Sequence, residues 1–345
     1  MKLYETLIRQ PEAARGSWER LQNNITRPWD LYGYDFGVHP INMAIGGIVP
    51  TRLTCIGGRS GHGKTAITCP MFEASLRKKS DGSRVEYLFF SWELDPTIVI
   101  DRAVCSRVGL TLRQLNQGAK LLSEKTMHEI KAAYTSLSRF PIVYQTHSID
   151  INHIRRVANE FVEVCKKKSE IEGAYVHPVV CIDYLNMAQF DNAGLKTYGI
   201  GDFMNGLKQW CNETKSSAIV FAQLSRTTDK EHKIPDRADF SDSSAIENAS
   251  DNLIVLYRPE YVGADKIFDP KENIEVASKG KCLIRVLKGR DNGTGDFLIN
   301  CDIRYFRFWD QGHTHDINYW SSYNTEQFWL NEFNLKREYN QLNVI

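Results

Sequence analysis

The chain has 345 residues, with Lys+Arg 43 against Asp+Glu 42, a net charge of +1, and 42% hydrophobic residues. That balance excludes holding nucleic acid by bulk positive charge, so any such contact has to come from local loops. Charged residues at 25% and aromatics at 11% exclude a wholly disordered chain, and no apolar run approaches the ~18–20 residues of a membrane span.

In chain order, residues 1–33 read as an adaptor, with Leu3, Leu7 and Ile8 on one helical face and Pro11 and Pro28 as punctuation. The opening M-K-L-Y-E-T-L-I-R-Q lacks the apolar centre of a signal peptide. From about residue 34 apolar strands alternate with helical stretches. Strands are expected at Arg52–Ile56, Val85–Ser91, Ile142–Gln145, Val179–Ile182, Ala218–Ala222 and Leu253–Tyr257. Helices are expected over Ala66–Arg77 (interrupted by Pro70), from near Ser123, over Ile151–Lys168 and around Asp202–Lys215. Lys281–Val286 and Phe297–Asn300 pair as a late hairpin across Gly293–Gly295. The alternation implies an α/β fold with a mostly parallel central sheet covered by helices on both faces. Lys166–Lys168 reads as a solvated helix end. The eight cysteines form no C-x-x-C pair, and Cys55 and Cys181 sit in strand-like runs. They read as core residues of a reducing compartment, which leads to a cytoplasmic expectation, or host cytoplasm for a viral chain.

Gly58–Thr65 reads G-R-S-G-H-G-K-T and satisfies G-x-x-x-x-G-K-[ST]. Gly58, Arg59, Ser60, Gly61, His62, Gly63, Lys64, Thr65 and Ala66 would wrap the phosphates of ATP. The glycines turn backbone N–H groups inward, and the helix that follows adds its positive end. Lys64 can reach the β- and γ-phosphates, and Thr65 can place its hydroxyl on Mg²⁺. Asp183 ends the run V-V-C-I-D and is the expected second magnesium ligand.

Other strand ends carry open alternatives. Glu93 in S-W-E-L-D either polarises an attacking water or serves as a helix N-terminal carboxylate. Gln223 in A-Q-L-S-R either senses a γ-phosphate or caps its strand. Lys288 and Arg290 in K-G-R-D-N-G-T-G are either an arginine-finger pair acting on a neighbouring subunit's ATP or an exposed basic turn.

Taken in order, these segments resemble the C-terminal ATPase domain of DnaB-family replicative helicases, a RecA-like fold, from about Tyr34 to Trp309. F-G-V-H-P-I-N-M-A-I-G-G-I-V-P resembles the family's lead-in, and F-F-S-W-E-L-D its S-L-E-M segment, with Arg102 nine residues on matching that segment's arginine. C-I-D-Y-L-N-M resembles its Walker B, A-Q-L-S-R its glutamine motif, and D-F-S-D-S-S-A-I-E-N-A-S-D its D-L-R-E-S-G-x-I-E-Q-D-A-D segment. Trp92 replaces a smaller aliphatic residue, Ser241 stands where the family usually has Arg, and only about 33 residues precede the core in place of a separate N-terminal domain. The resemblance implies domains at 1–33, 34–310 and 311–345. It also implies a hexameric ring with nucleotide sites shared between subunits, 5′→3′ movement on single-stranded DNA, and a primase or loader as partner.

By the same resemblance, DNA contacts fall on Asn192–Asp202, with Lys196, and on Arg226–Asp242, with Arg226, Lys230, Lys233 and Arg237. The second loop's four basic residues are offset by five acidic ones, so an ordinary polar surface loop is the competing reading. Residues 305–334 hold ten aromatics, with Phe328, Trp329 and Phe333 at helical spacing. They either fold back onto the core or dock a partner. Gly312–Asp316 carries an isolated H-x-H, which predicts no structural zinc. The alternative function is an ATP-gated DNA-binding scaffold or recombinase-like filament that never unwinds. A small-molecule kinase leaves the K-x-R hairpin without a role.

Overall fold

The computed structural model describes residues 10–26, 32–116, 122–146, 151–183, 196–224, 233–240, 243–290 and 293–309. Among the described residues six strands run parallel: β1 (Leu53–Gly58), β2 (Arg84–Ser91), β3 (Ile142–Gln145), β4 (Val176–Asp183), β5 (Ser217–Gln223) and β6 (Asn252–Tyr257). β7 (Lys266–Asp269) and β8 (Ile274–Ala277) make a separate hairpin. β9 (Lys281–Gly289), β10 (Gly295–Asp302) and β11 (Arg307–Trp309) extend the main sheet antiparallel, in the order β11-β10-β9-β6-β1-β5-β4-β2-β3. β1, β4 and β6 are buried at every position, as expected of strands covered on both faces. One face carries α2 (His39–Ile45), α3 (Thr68–Ala74), α4 (Pro96–Val108), the short α5 (Leu112–Asn116) and α6 (Glu124–Leu137). The other carries α7 (Ile151–Glu172), α8 (Lys196–Thr214) and α9 (Ser243–Ala249).

The mostly parallel sheet, its helical layers and the late antiparallel hairpin agree with the sequence reading. Several boundaries differ for identifiable reasons. The stretch after the glycine loop is a regular helix only over Thr68–Ala74. Pro70 has no N–H to donate, so the turn before it is closed by mixed bonds such as Ile67 N to Gly63 O and Cys69 N to Ala66 O. α7 runs past Lys168 to Glu172, and the Lys168 ammonium pairs with buried Glu86, so this lysine is not part of a solvated end. α8 begins at Lys196, so most of the expected loop 192–202 is helix; burial of Ile200, Phe203 and Met204 outweighs the cost of Gly199 and Gly201. α1 (Gln10–Thr26) is a helix, whereas Leu3, Leu7 and Ile8 lie outside the described residues. So do Ser241 and residues 310–345, with Phe328, Trp329, Phe333 and the H-x-H.

Among the described residues, His62 and His177 are buried and held neutral. His177 on β4 stacks on Tyr34 with centroids 5.0 Å apart and donates from Nε2 to Ser217 Oγ at 2.8 Å, whose own proton goes to Val49 O. Burial first, and then the charge of Lys79, push its pKa down to about 3. The unfolded chain binds that proton near the ordinary value of 6.5, so between these limits the unfolded state holds more protons and stability falls as pH falls. Unfolding free energy is therefore expected to decline below about pH 6.5, by up to ~1.4 kcal/mol per pH unit for each such histidine. His177→Gln should reduce that slope in denaturant titrations by about half a proton at about pH 6.5, rising to about one proton at about pH 5. An unchanged slope would show that His177 is not held neutral.

Candidate nucleotide site

Parallel strands place their C-terminal ends at one edge of the sheet, which is where this architecture binds ligands. Register sets Gly58 of β1 beside Gln223 of β5, and Ser91 of β2 beside Asp183 of β4. Glu93 lies two residues past the end of β2, and the Trp92 N–H donates to Asp183 O at 3.2 Å. The glycine loop, Gln223, Asp183 and Glu93 thus come together from four strand ends.

The loop itself is compressed. Gly61 has φ +78°, and a Cβ there would meet the Tyr261 ring at 2.4 Å. Gly63 has φ +98°, and its Cβ would meet Phe308 at 3.0 Å and Ile303 at 3.2 Å. Only glycine satisfies both the backbone and the space at Gly61. Lys64 is 9% exposed, and its Nζ donates to Gly58 O at 2.8 Å and Arg59 O at 3.1 Å. Arg59, His62 and Ala66 are buried, and Ser60 is exposed at the tip. Thr65 Oγ1 donates to Asp183 Oδ2 at 3.0 Å. Asp183 is 1% exposed, and its Oδ1 is buried with no hydrogen-bond partner among the described residues.

The electrostatics follow from this crowding. Burial raises Asp183 to about 6; Thr65, Lys64 and Arg102 pull it down, while Glu93 pushes it up. Burial lowers Lys64, opposed by Asp183 and Glu93. Arg102 and exposed Glu93 therefore act on the same small volume as the loop lysine. A hydroxyl beside a buried carboxylate with an unsatisfied oxygen is a donor set that suits a hard divalent cation such as Mg²⁺.

A brace around the loop was not visible in the sequence. Arg258, just past β6, donates its backbone N–H to His62 Nδ1 at 3.0 Å and a guanidinium N–H to Gly61 O at 2.8 Å. Glu260 holds that guanidinium at 2.6 Å and accepts from Gly280 N at 2.9 Å. Burial first, then Arg59, Arg258 and Lys64, lower His62 to about 3. The neutral ring lies between Tyr257 and Tyr261, with centroids 5.7 and 5.4 Å away. R-P-E-Y directly after an apolar strand was the available signal, but its contact with a loop ~200 residues earlier is a tertiary fact.

Lys288 and Arg290 are not at this edge. β9 runs antiparallel to β6 and sets Lys288 opposite Leu253, near the start of the parallel strands. Lys288 Nζ donates to Glu247 O at 2.6 Å, and Arg290 to Asp251 Oδ1 at 2.6 Å. Asp251 is 1% exposed and also takes Lys208 Nζ at 2.6 Å and the N–H of Leu53, the first residue of β1. A strand the length of β1 spans roughly 17–20 Å, so Arg290 sits that far from the glycine loop of its own chain.

Of the DNA-contact candidates, Arg226 and Lys230 lie outside the described residues, and Lys196 is placed only by its backbone in the first turn of α8. Lys233 is exposed. Arg237 donates to Glu247 Oε1 at 2.6 Å and to Leu287 O at 2.5 Å, which ties the second loop to α9 and β9.

Residues 33–310 match the family model of the DnaB-like helicase C terminal domain. The chain is 22% identical over 299 residues to the replicative DNA helicase DnaB of Rickettsia bellii, covering 81% of this chain and 57% of that protein. It spans little more than half the length of the curated relatives it matches. Among solved structures, it is similar to the ATPase domain of G40P, with TM-score 0.72, 19% identity, 87% of this chain and 98% of that chain covered. It is also similar to a DnaB-like replicative helicase solved for its interactions with primase, with TM-score 0.70, 18% identity, and 88% and 67% covered.

Proposed function

The chain belongs to the DnaB-like helicase C-terminal domain family, and from that premise we propose that it is an ATP-driven motor of DNA replication that moves 5′→3′ on single-stranded DNA as a six-membered ring. Gly58–Thr65 and Ala66 hold the phosphates, with Lys64 neutralising charge on the β- and γ-oxygens. Thr65 and Asp183 would hold Mg²⁺, which when bound neutralises charge building on the bridging oxygens. Glu93 orients the attacking water, Gln223 contacts the γ-phosphate from the end of β5, and Arg102 adds positive charge from α4. Lys288 and Arg290 complete the site of the adjacent subunit. The observation that carries this reading is the placement of the K-x-R hairpin at the far edge of the sheet from its own glycine loop. A cation there can serve a nucleotide only if another copy presents it. Lys196, Arg226, Lys230 and Lys233 are the proposed DNA contacts, and sixfold repetition multiplies their few phosphate bonds. A primase or loader is the proposed partner.

The Arg237–Glu247 pair favours a second reading in which the loop is held rather than swung, and the protein is an ATP-gated scaffold on DNA. A fork-shaped duplex with a 5′ single-stranded tail separates the two. The motor releases the paired strand when ATP and Mg²⁺ are added. DNA-stimulated ATP hydrolysis without strand release would reject the motor in favour of the scaffold.

A further inference from the structure

The segment that closes the described chain folds back over the nucleotide site. Ile303 and Phe308 press on Gly63 of the glycine loop. Arg307 donates to Ser106 O at 2.5 Å and Arg107 O at 3.2 Å, satisfying carbonyls at the end of α4, and Ser106 Oγ reaches Phe306 O at 3.4 Å. Between these anchors Phe306 adopts φ +54°, ψ +38°, a left-handed conformation that glycine takes freely and a bulky side chain does not. The ring is nonetheless buried, and its face lies 5.2 Å from the Arg102 guanidinium carbon. Arg102 has a buried Nε with no hydrogen-bond partner among the described residues, and no carboxylate pairs with it there. Its charge is felt at Asp183. Among the described residues, the aromatic face is thus a contact able to hold this cation in place.

We propose that Phe306 is a positioning residue for nucleotide binding, holding Arg102 by a cation–π contact beside the Thr65–Asp183 pair at the cost of a strained backbone. The inference rests on the proposed nucleotide site and adds a residue to it. The strain explains why the two roles separate by experiment: glycine at 306 relieves the backbone but removes the ring, leucine keeps an apolar side chain without the π face, and tyrosine keeps the face.

The test uses the full chain, with Kd for a non-hydrolysable ATP analogue plus Mg²⁺, KM for ATP, and thermal midpoints. Phe306→Tyr should bind as wild type, whereas Phe306→Leu and Phe306→Gly should each weaken binding about three- to tenfold. In an Arg102→Ala background, Phe306→Leu should have no further effect on Kd, since the cation it positions is gone. Binding by Phe306→Leu within a factor of about two of wild type in the presence of Arg102 would overturn the inference, as would a full extra loss in the Arg102→Ala background. If wild type itself neither binds nor hydrolyses ATP, the nucleotide-site reading fails, which is distinguishable from failure of the Phe306 role alone.

Discussion

Lys64→Ala is expected to lower ATP turnover by at least about 10²- to 10³-fold, the usual cost of removing one preorganised charge from the place where transition-state charge gathers. Lys64 is 9% exposed, and its ammonium is held by two loop carbonyls, Gly58 O and Arg59 O. It is also within electrostatic reach of Asp183 and Glu93. Arg59, the other cation of the loop, is buried, and its charge acts on His62 and Tyr257. The fold should survive. Two hydrogen bonds are lost, about 1–3 kcal/mol in all, while the desolvation cost that depresses this lysine disappears with it. Phosphate release and a thermal scan on the same preparation check both halves. A native midpoint with turnover within about tenfold of wild type would mean that Gly58–Thr65 does not cradle the reacting phosphates.

How much of this was legible in the sequence depends on how local each feature is. The apolar runs of β1, β4 and β5 announced fully buried parallel strands, and Gly58–Thr65 and Asp183 were found because loop and strand-end chemistry is written in adjacent residues. α2 has local signals in Pro40 near its start and a glycine just past its end, but at seven residues it is too short to show a helical period. β7 and β8 are four residues each, β7 alternating exposed and buried and β8 mostly exposed, so they have no apolar run to betray them. The first turns of α8 were hidden by Gly199 and Gly201, because their helical state is set by what they bury and not by propensity. The features most informative about the site are those with the widest sequence separation. Arg258 on Gly61 and Phe306 on Arg102 each join residues that only the tertiary fold brings together.

The Arg290–Asp251 pair leads to the second large effect. Burial alone would raise Asp251, but hydrogen bonds from Lys208, the Leu53 N–H and Arg290 outweigh it and hold the carboxyl below its ordinary value. Lys208 stays with Asp251 if Arg290 leaves, so the carboxylate never stands uncompensated, and the arginine is available at 58% side-chain exposure. Its own glycine loop lies roughly 17–20 Å away across the sheet, so Arg290→Ala should leave ATP binding to the same subunit intact while lowering turnover about 10³-fold, the low end for a trans-acting arginine. Glu93→Gln should produce a comparable loss from the opposite side of the interface, since Glu93 is exposed at the nucleotide edge and its removal breaks no packing. Mixing the two variants in equal amounts before assembly then has a definite outcome. In the proposed ring a functional site takes Glu93 from one copy and Arg290 from the next, and random assembly supplies that combination at about a quarter of the interfaces. Recovery to about a quarter of wild-type turnover is therefore expected, falling with dilution below the assembly threshold. A site built within one chain cannot give this result, because every molecule in the mixture lacks either the carboxylate or the arginine. Turnover of the mixture no higher than that of the two variants alone would place Arg290 outside the reacting site and return the K-x-R hairpin to a structural role at the far edge of the sheet.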